Sequence, residues 1–163
     1  MMSELLDGTV VVSPSPGFGH ADAVLTLAGA LRAAAPPGLR VLAAPFPVRL
    51  GRQTELRPDL LVARYVDLVR DELTAPPLLV VEVRSPASDL VDRTLKRVVY
   101  GRHRVASYWL VDPETPALTV LELDGEGDYR PVADVVGAEA FLAARPFPVR
   151  LSPIELVAGL RPC

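Results

Sequence analysis

The sequence predicts an α/β fold of the mixed, α+β kind: a central mixed β-sheet flanked by helices. Three stretches carry that prediction. Residues 78–83 read LLVVEV, too dense an apolar run for a strand with one wet face, which would alternate, so this strand is covered on both sides. Residues 19–35 repeat apolar side chains at helical spacing, and residues 88–101 carry a second helical pattern directly after the dense strand.

Size and composition bound the rest. At 163 residues the chain reads as one domain, 1–163, able to bury a core without disulfides or a structural metal. Half of it is hydrophobic and 23% is charged, the balance of a globular protein. A net charge of −3 argues against non-specific nucleic-acid binding over the whole surface, but leaves room for a local basic patch. The one cysteine, Cys163, excludes a disulfide within the chain and a cysteine-based metal site. The start, MMSELLDGTVVV, lacks the charged and apolar regions of a signal peptide, and no run approaches the roughly 18 apolar residues of a membrane span. The expectation is a cytoplasmic protein with no membrane partner.

In order, the elements read as follows. Asp7-Gly8, between Leu5-Leu6 and Val10 to Val12, predicts a hairpin or strand entry. Pro14 to Gly17 break the chain ahead of the helix at 19–35, which Pro36-Pro37-Gly38 stops. On that helix His20, Val24, Leu27 and Leu31 share one face. A strand at 39–44 is interrupted by Pro45 and Pro47 and continued at 48–50; 51–55 reads as a turn. Pro58 opens the next buried strand, with Asp59 at its start. Residues 64–77 connect it, with one helical turn, to the dense strand, where Leu78, Val80 and Glu82 point one way and Leu79, Val81 and Val83 the other. The helix at 88–101, capped by Ser88 or Asp89, sets Asp92, Lys96 and Tyr100 on one face and Leu95, Val98 and Val99 on its apolar side. Strands at 108–112 and 118–123 form a hairpin around Pro-Glu-Thr-Pro. A turn at 125–127, strands near 129–132 and 147–151, and a helical turn at 153–160 complete the chain.

Glu82 is the residue this pattern makes expensive. A carboxylate near the end of a buried strand must neutralise, pair or bind a cation. Lys96 is the one lysine among 17 basic residues, which is either chance or a position that needs a compact amine. Two carboxylates brought together, Asp59 and Glu82, call for a cation between them. A hard, oxygen-seeking ion such as Mg²⁺ or Mn²⁺ answers that need, and Lys96 beside it completes a phosphodiester-hydrolysing set. Structural pairing of Glu82 with Lys96 or Arg84 explains the same residues without catalysis. His20 is similarly open, as a helix-end residue with one hydrogen bond or as a site residue. Arg84, Arg93, Arg97, Arg102, His103 and Arg104 cluster in sequence, as a phosphate-holding group or as a solvated helix face with a basic turn.

The motifs GTVVVSPSPGFGH, RPDLLVA, LLVVEVRSPAS, VDRTLKRVVYGR and ASYWLVDP stand in the order of the Uma2 family of restriction-endonuclease-like proteins, within the PD-(D/E)xK nuclease superfamily, and the chain resembles that family over nearly its whole length. The resemblance implies a restriction-endonuclease-like core, a Mg²⁺- or Mn²⁺-dependent endonuclease, and DNA as partner. It implies that Asp59 and Glu82 are the acidic ligands, that Val83 adds its carbonyl, and that Lys96 is the catalytic lysine. Asp92, Tyr100 and His20 also match family positions. The superfamily's simplest pattern has Lys where this chain has Arg84, and Arg104-Val105-Ala106-Ser107 stands where the family commonly has Gly-Val-Pro-Glu. A homodimer follows by analogy with the superfamily. A different function remains open: a nuclease fold kept as a non-catalytic binding or interaction module.

Overall fold

The computed structural model describes residues 1–86 and 88–160; Cys163 lies outside them. The chain opens with strands β1 (Met2–Leu6) and β2 (Thr9–Ser13), then helix α1 (Phe18–Ala34). Strands β3 (Leu39–Ala43), β4 (Val48–Gly51), β5 (Thr54–Leu56), β6 (Leu60–Arg64), β7 (Leu68–Val69), β8 (Glu72–Leu73) and β9 (Leu79–Val83) follow. Helix α2 (Asp89–Val91) runs through a π-helical stretch (Asp92–Lys96) into α3 (Arg97–Arg102). Strands β10 (Ser107–Asp112), β11 (Ala117–Leu123), β12 (Tyr129–Val136), β13 (Phe141–Ala143) and β14 (Val149–Leu151) precede a short α4 (Pro153–Leu156). Among the described residues no helix is long and apolar enough to cross a membrane.

The central sheet has the order β12-β11-β10-β9-β6-β3. It is mixed: β9 and β10 run parallel, whereas β6 pairs β9 and β11 pairs β10 in antiparallel fashion. The dense strand is thus interior, and all five residues of β9 are buried, as its unbroken apolar character requires. One face of the sheet packs Leu79, Val81, Val83, Trp109 and Val111 against Ala23, Leu27 and Leu31 of α1. The other face packs Val80, Tyr108 and Leu110 against Val99 and Tyr100 of α3 and against Leu6 and Leu56. Period-two alternation therefore sends Glu82 towards α3, away from α1.

The layer holding Leu6 and Leu56 is a second six-stranded sheet, β2-β1-β5-β4-β8-β7. Its hairpin β1-β2 turns on Asp7 and Gly8, both at positive φ (48° and 85°), the two-residue turn whose twist suits antiparallel strands.

Five expectations change. Residues 48–50 do not continue β3: β4 joins the second sheet, because Pro45 and Pro47 break the ladder and carry the chain between layers. Residues 51–55 are not only a turn but lead into β5, and 64–77 adds β7 and β8 to its one 3-10 turn, Tyr65–Asp67. Ser88 precedes α2 but makes no capping hydrogen bond. Leu95 and Val98 are 40% and 56% exposed, so of the three residues assigned to the apolar side only Val99 is buried. The helix turns its polar face inward, with Asp92, Lys96 and Tyr100 all buried.

Candidate active site

The site forms where β6 and β9 part. Their pairing ends at Leu60 and Val81, and the register continued by two residues would set Pro58 opposite Val83. The Arg84 N–H donates to Val111 C=O on β10 at 2.7 Å, so the backbone groups of Val83, one residue earlier, face β6. Pro58 has no N–H to give the Val83 carbonyl. The Asp59 side chain fills the other half of the missing pair: its Oδ2 accepts the Val83 N–H at 2.7 Å. His20 Nε2, from the first turn of α1, lies 3.0 Å from the same oxygen.

Glu82 is held from the opposite side. Its Oε1 accepts hydrogen bonds from Lys96 Nζ at 3.1 Å and from Tyr100 Oη at 3.0 Å. Lys96 also pairs with Glu4 Oε2 at 2.9 Å, and with Asp92 Oδ1 at 3.4 Å, a contact without hydrogen-bond geometry that leaves this buried oxygen with no hydrogen-bond partner. Glu4 is itself fixed by the Arg57 N–H, which donates to Oε1 at 2.7 Å. The Tyr108 hydroxyl donates to the Asp92 carbonyl at 2.8 Å and anchors the π-helical stretch, a distortion often found at functional positions.

Four carboxylates and one lysine make the electrostatics lopsided. Burial, above all, raises the Glu82 pKa well over the usual glutamate range; Lys96 opposes this, and Asp59, Asp92 and Glu4 add to it. Burial likewise raises Asp92, against the pull of Lys96. Burial pulls Lys96 down, but Glu82, Glu4 and Asp92 together push it above an ordinary lysine, so it remains an ammonium. Burial raises the Tyr100 hydroxyl and keeps it a donor.

Asp59, Glu82, Val83, Asp92, Lys96, Glu4 and His20 line one small pocket of about 50 Å³. Asp59 Oδ1 and Glu82 Oε2 accept no hydrogen bond among the described residues. These two oxygens and the Val83 carbonyl are a hard donor set of the type that suits Mg²⁺ or Mn²⁺, and the excess negative charge favours a cation. Among the described residues, the one group of three carboxylates with ligand atoms within 4.8 Å of one another lies elsewhere, at Asp124, Glu126 and Asp128 in the β11-β12 turn. Asp124 is occupied there by backbone N–H groups and Arg130.

The described arginines do not gather with the carboxylates; none of them lines the acidic pocket. Arg84, paired with Asp89 and Asp112, lines a neighbouring pocket that also holds His20 and Ser85. Arg93 is paired with Asp89, Arg97 and Arg102 line a separate pocket with Arg130, and Arg104 packs its guanidinium against Gly127. Adjacency along the sequence failed here because the helix spreads neighbouring residues over different faces. Glu4 was missed. The signal available was its alternation with Leu6, which sets both on one face of β1.

No curated protein matches the chain. Among solved structures the chain is similar to a "putative nuclease belonging to DUF820" from Anabaena variabilis, with a TM-score of 0.82 and 17% identity over 98% of this chain and 91% of that one, which establishes a shared fold. It also aligns, at a TM-score of 0.43 and 16% identity, with 18% of the type IIG restriction endonuclease BpuSI, covering 93% of this chain. The model of the Uma2 family, described as "Putative restriction endonuclease", matches residues 1–156. On that match, covering nearly the entire chain, the protein belongs to the Uma2 family.

Proposed function

We propose that this domain is a Mg²⁺- or Mn²⁺-dependent endonuclease of the PD-(D/E)xK type that hydrolyses phosphodiester bonds in DNA. The observation that carries the reading is the arrangement of Asp59, Glu82 and Lys96 around one pocket, each carboxylate keeping an oxygen free of hydrogen bonds among the described residues. Asp59, Glu82 and the Val83 carbonyl would hold the cation, which would supply charge neutralisation and a more acidic water. His20 steadies Asp59 by its contact with Oδ2, and Tyr100 steadies Glu82. Lys96, fixed as an ammonium, cannot take a proton from water; it donates hydrogen bonds to the attacking water and offsets charge gathering on the phosphate.

One observation favours a non-catalytic module instead. Lys96 already has three carboxylate partners, a network that stands without a metal. Supercoiled plasmid incubated with Mg²⁺ or Mn²⁺ separates the two. The enzyme reading expects nicking that EDTA abolishes and that Asp59→Ala, Glu82→Ala and Lys96→Ala each reduce at least a hundredfold. Equal nicking by wild type and variants, or none by wild type, removes it.

A further inference from the structure

A cleft of about 510 Å³ opens directly off the acidic pocket, within the size range of small-ligand sites of about 300–1,000 Å³. The two share Met2, Pro16, His20 and Asp59, so a group bound at Asp59 and Glu82 would have its covalent neighbour in the cleft. The cleft's character is the opposite of the pocket's. Val24, Leu25 and Ala28 of α1 form one wall, and the turn after β3 at Ala44 and Pro45 forms another. Among the described residues no lysine or arginine lines it, so it lacks the basic cluster that would hold a second phosphate. Leu25, 73% exposed, adds a further apolar side chain to this wall.

We infer that this cleft holds the nucleobase adjoining the scissile phosphate. The inference rests on the phosphodiesterase reading above and adds a subsite to it. A base offers a flat face of weak polarity that van der Waals contact can hold, while its polar edges stay in water through the open mouth. Apart from Ser15 and the shared His20 and Asp59, the described lining is apolar, so the subsite holds a base by its face and discriminates little among bases.

The test is binding of fluorescein-labelled hexathymidylate and of its fully abasic analogue, by anisotropy, with Ca²⁺ replacing Mg²⁺. Wild type is expected to bind the base-bearing strand at least tenfold more tightly. Ala21→Trp, an exposed lining position on α1, fills the cleft and should erase that preference while leaving abasic binding within about twofold; Leu25→Ser should weaken the preference in the same direction. A preference that survives both variants overturns the assignment, as does wild-type binding blind to the base. So does a dimer in sedimentation that Ala21→Trp dissociates without any base preference, since a second copy would then own the cleft. Base-dependent binding without cleavage in Mg²⁺ removes the hydrolytic reading and keeps the subsite; no binding of either strand removes both.

Discussion

Asp59 bridges two strands that have stopped pairing: its Oδ2 accepts the Val83 N–H at 2.7 Å, where the ladder between β6 and β9 would otherwise continue. The Pro-Asp pair thus has a physical purpose in the sheet. Proline removes the donor that would occupy the Val83 carbonyl, and aspartate satisfies the N–H left behind. Pro58→Ala restores that donor. It should leave thermal stability within about 1 kcal/mol and weaken the Mg²⁺-induced rise in Tm about tenfold in apparent affinity, measured by scanning fluorimetry across a Mg²⁺ series.

Among the described residues, Lys96 is the one cation paired with Glu4, Glu82 and Asp92. Lys96→Met should destabilise the metal-free protein by about 3 kcal/mol, a Tm loss of roughly 6–12 °C at this size, because it leaves buried charges uncompensated. Added Mg²⁺ should restore part of that Tm by taking over the compensation. Melting curves with and without the ion check both, and a variant that Mg²⁺ does not rescue speaks against a cation in this pocket.

Glu82 provides a pH signature. Its pKa is raised in the folded protein, chiefly by burial, so the folded state binds the proton more tightly than the unfolded one. Stability must then fall as pH rises from the usual glutamate range through the raised value. Glu82→Gln lacks this loss. In EDTA its Tm should match or exceed that of wild type, with a gap that widens as pH rises above the usual glutamate range. Parallel curves would mean that Glu82 keeps an ordinary pKa.

The inward polar face of the π-distorted helix makes a packing prediction. Leu95→Ser and Val98→Ser, at exposed positions, should each change stability by less than about 0.5 kcal/mol, whereas Val99→Ala, fully buried, should cost about 2 kcal/mol in urea denaturation.

Much of the central sheet was legible because its strands announce themselves by burial: β9 by its density, β6 by the Pro-Asp start, and the β10-β11 hairpin by Pro-Glu-Thr-Pro. Asp59, Glu82 and Lys96 could be picked out as charges forced inward by an apolar pattern. Of the second sheet only the β1-β2 hairpin and β4 were legible as strands, since β7 and β8 have two residues each and β5 three, too short for a period to show. Leu95 and Val98, assigned to the helix's apolar side, are exposed because a buried ion network with Glu4 of β1 and Glu82 of β9 draws the polar face inward. Glu4 escaped notice because its partner lies 92 residues further along the chain, a separation that no local pattern spans.

Calorimetric titration with Mn²⁺ tests the central claim most directly, because it asks for the cation without asking for a substrate. Wild type should give a binding isotherm with one ion per chain, and Asp59→Ala and Glu82→Ala should each abolish it while remaining folded by circular dichroism. A silent wild-type titration, or an isotherm unchanged in both variants, would contradict a cation-dependent hydrolytic centre at Asp59 and Glu82 and leave Lys96 as the site's only counter-charge.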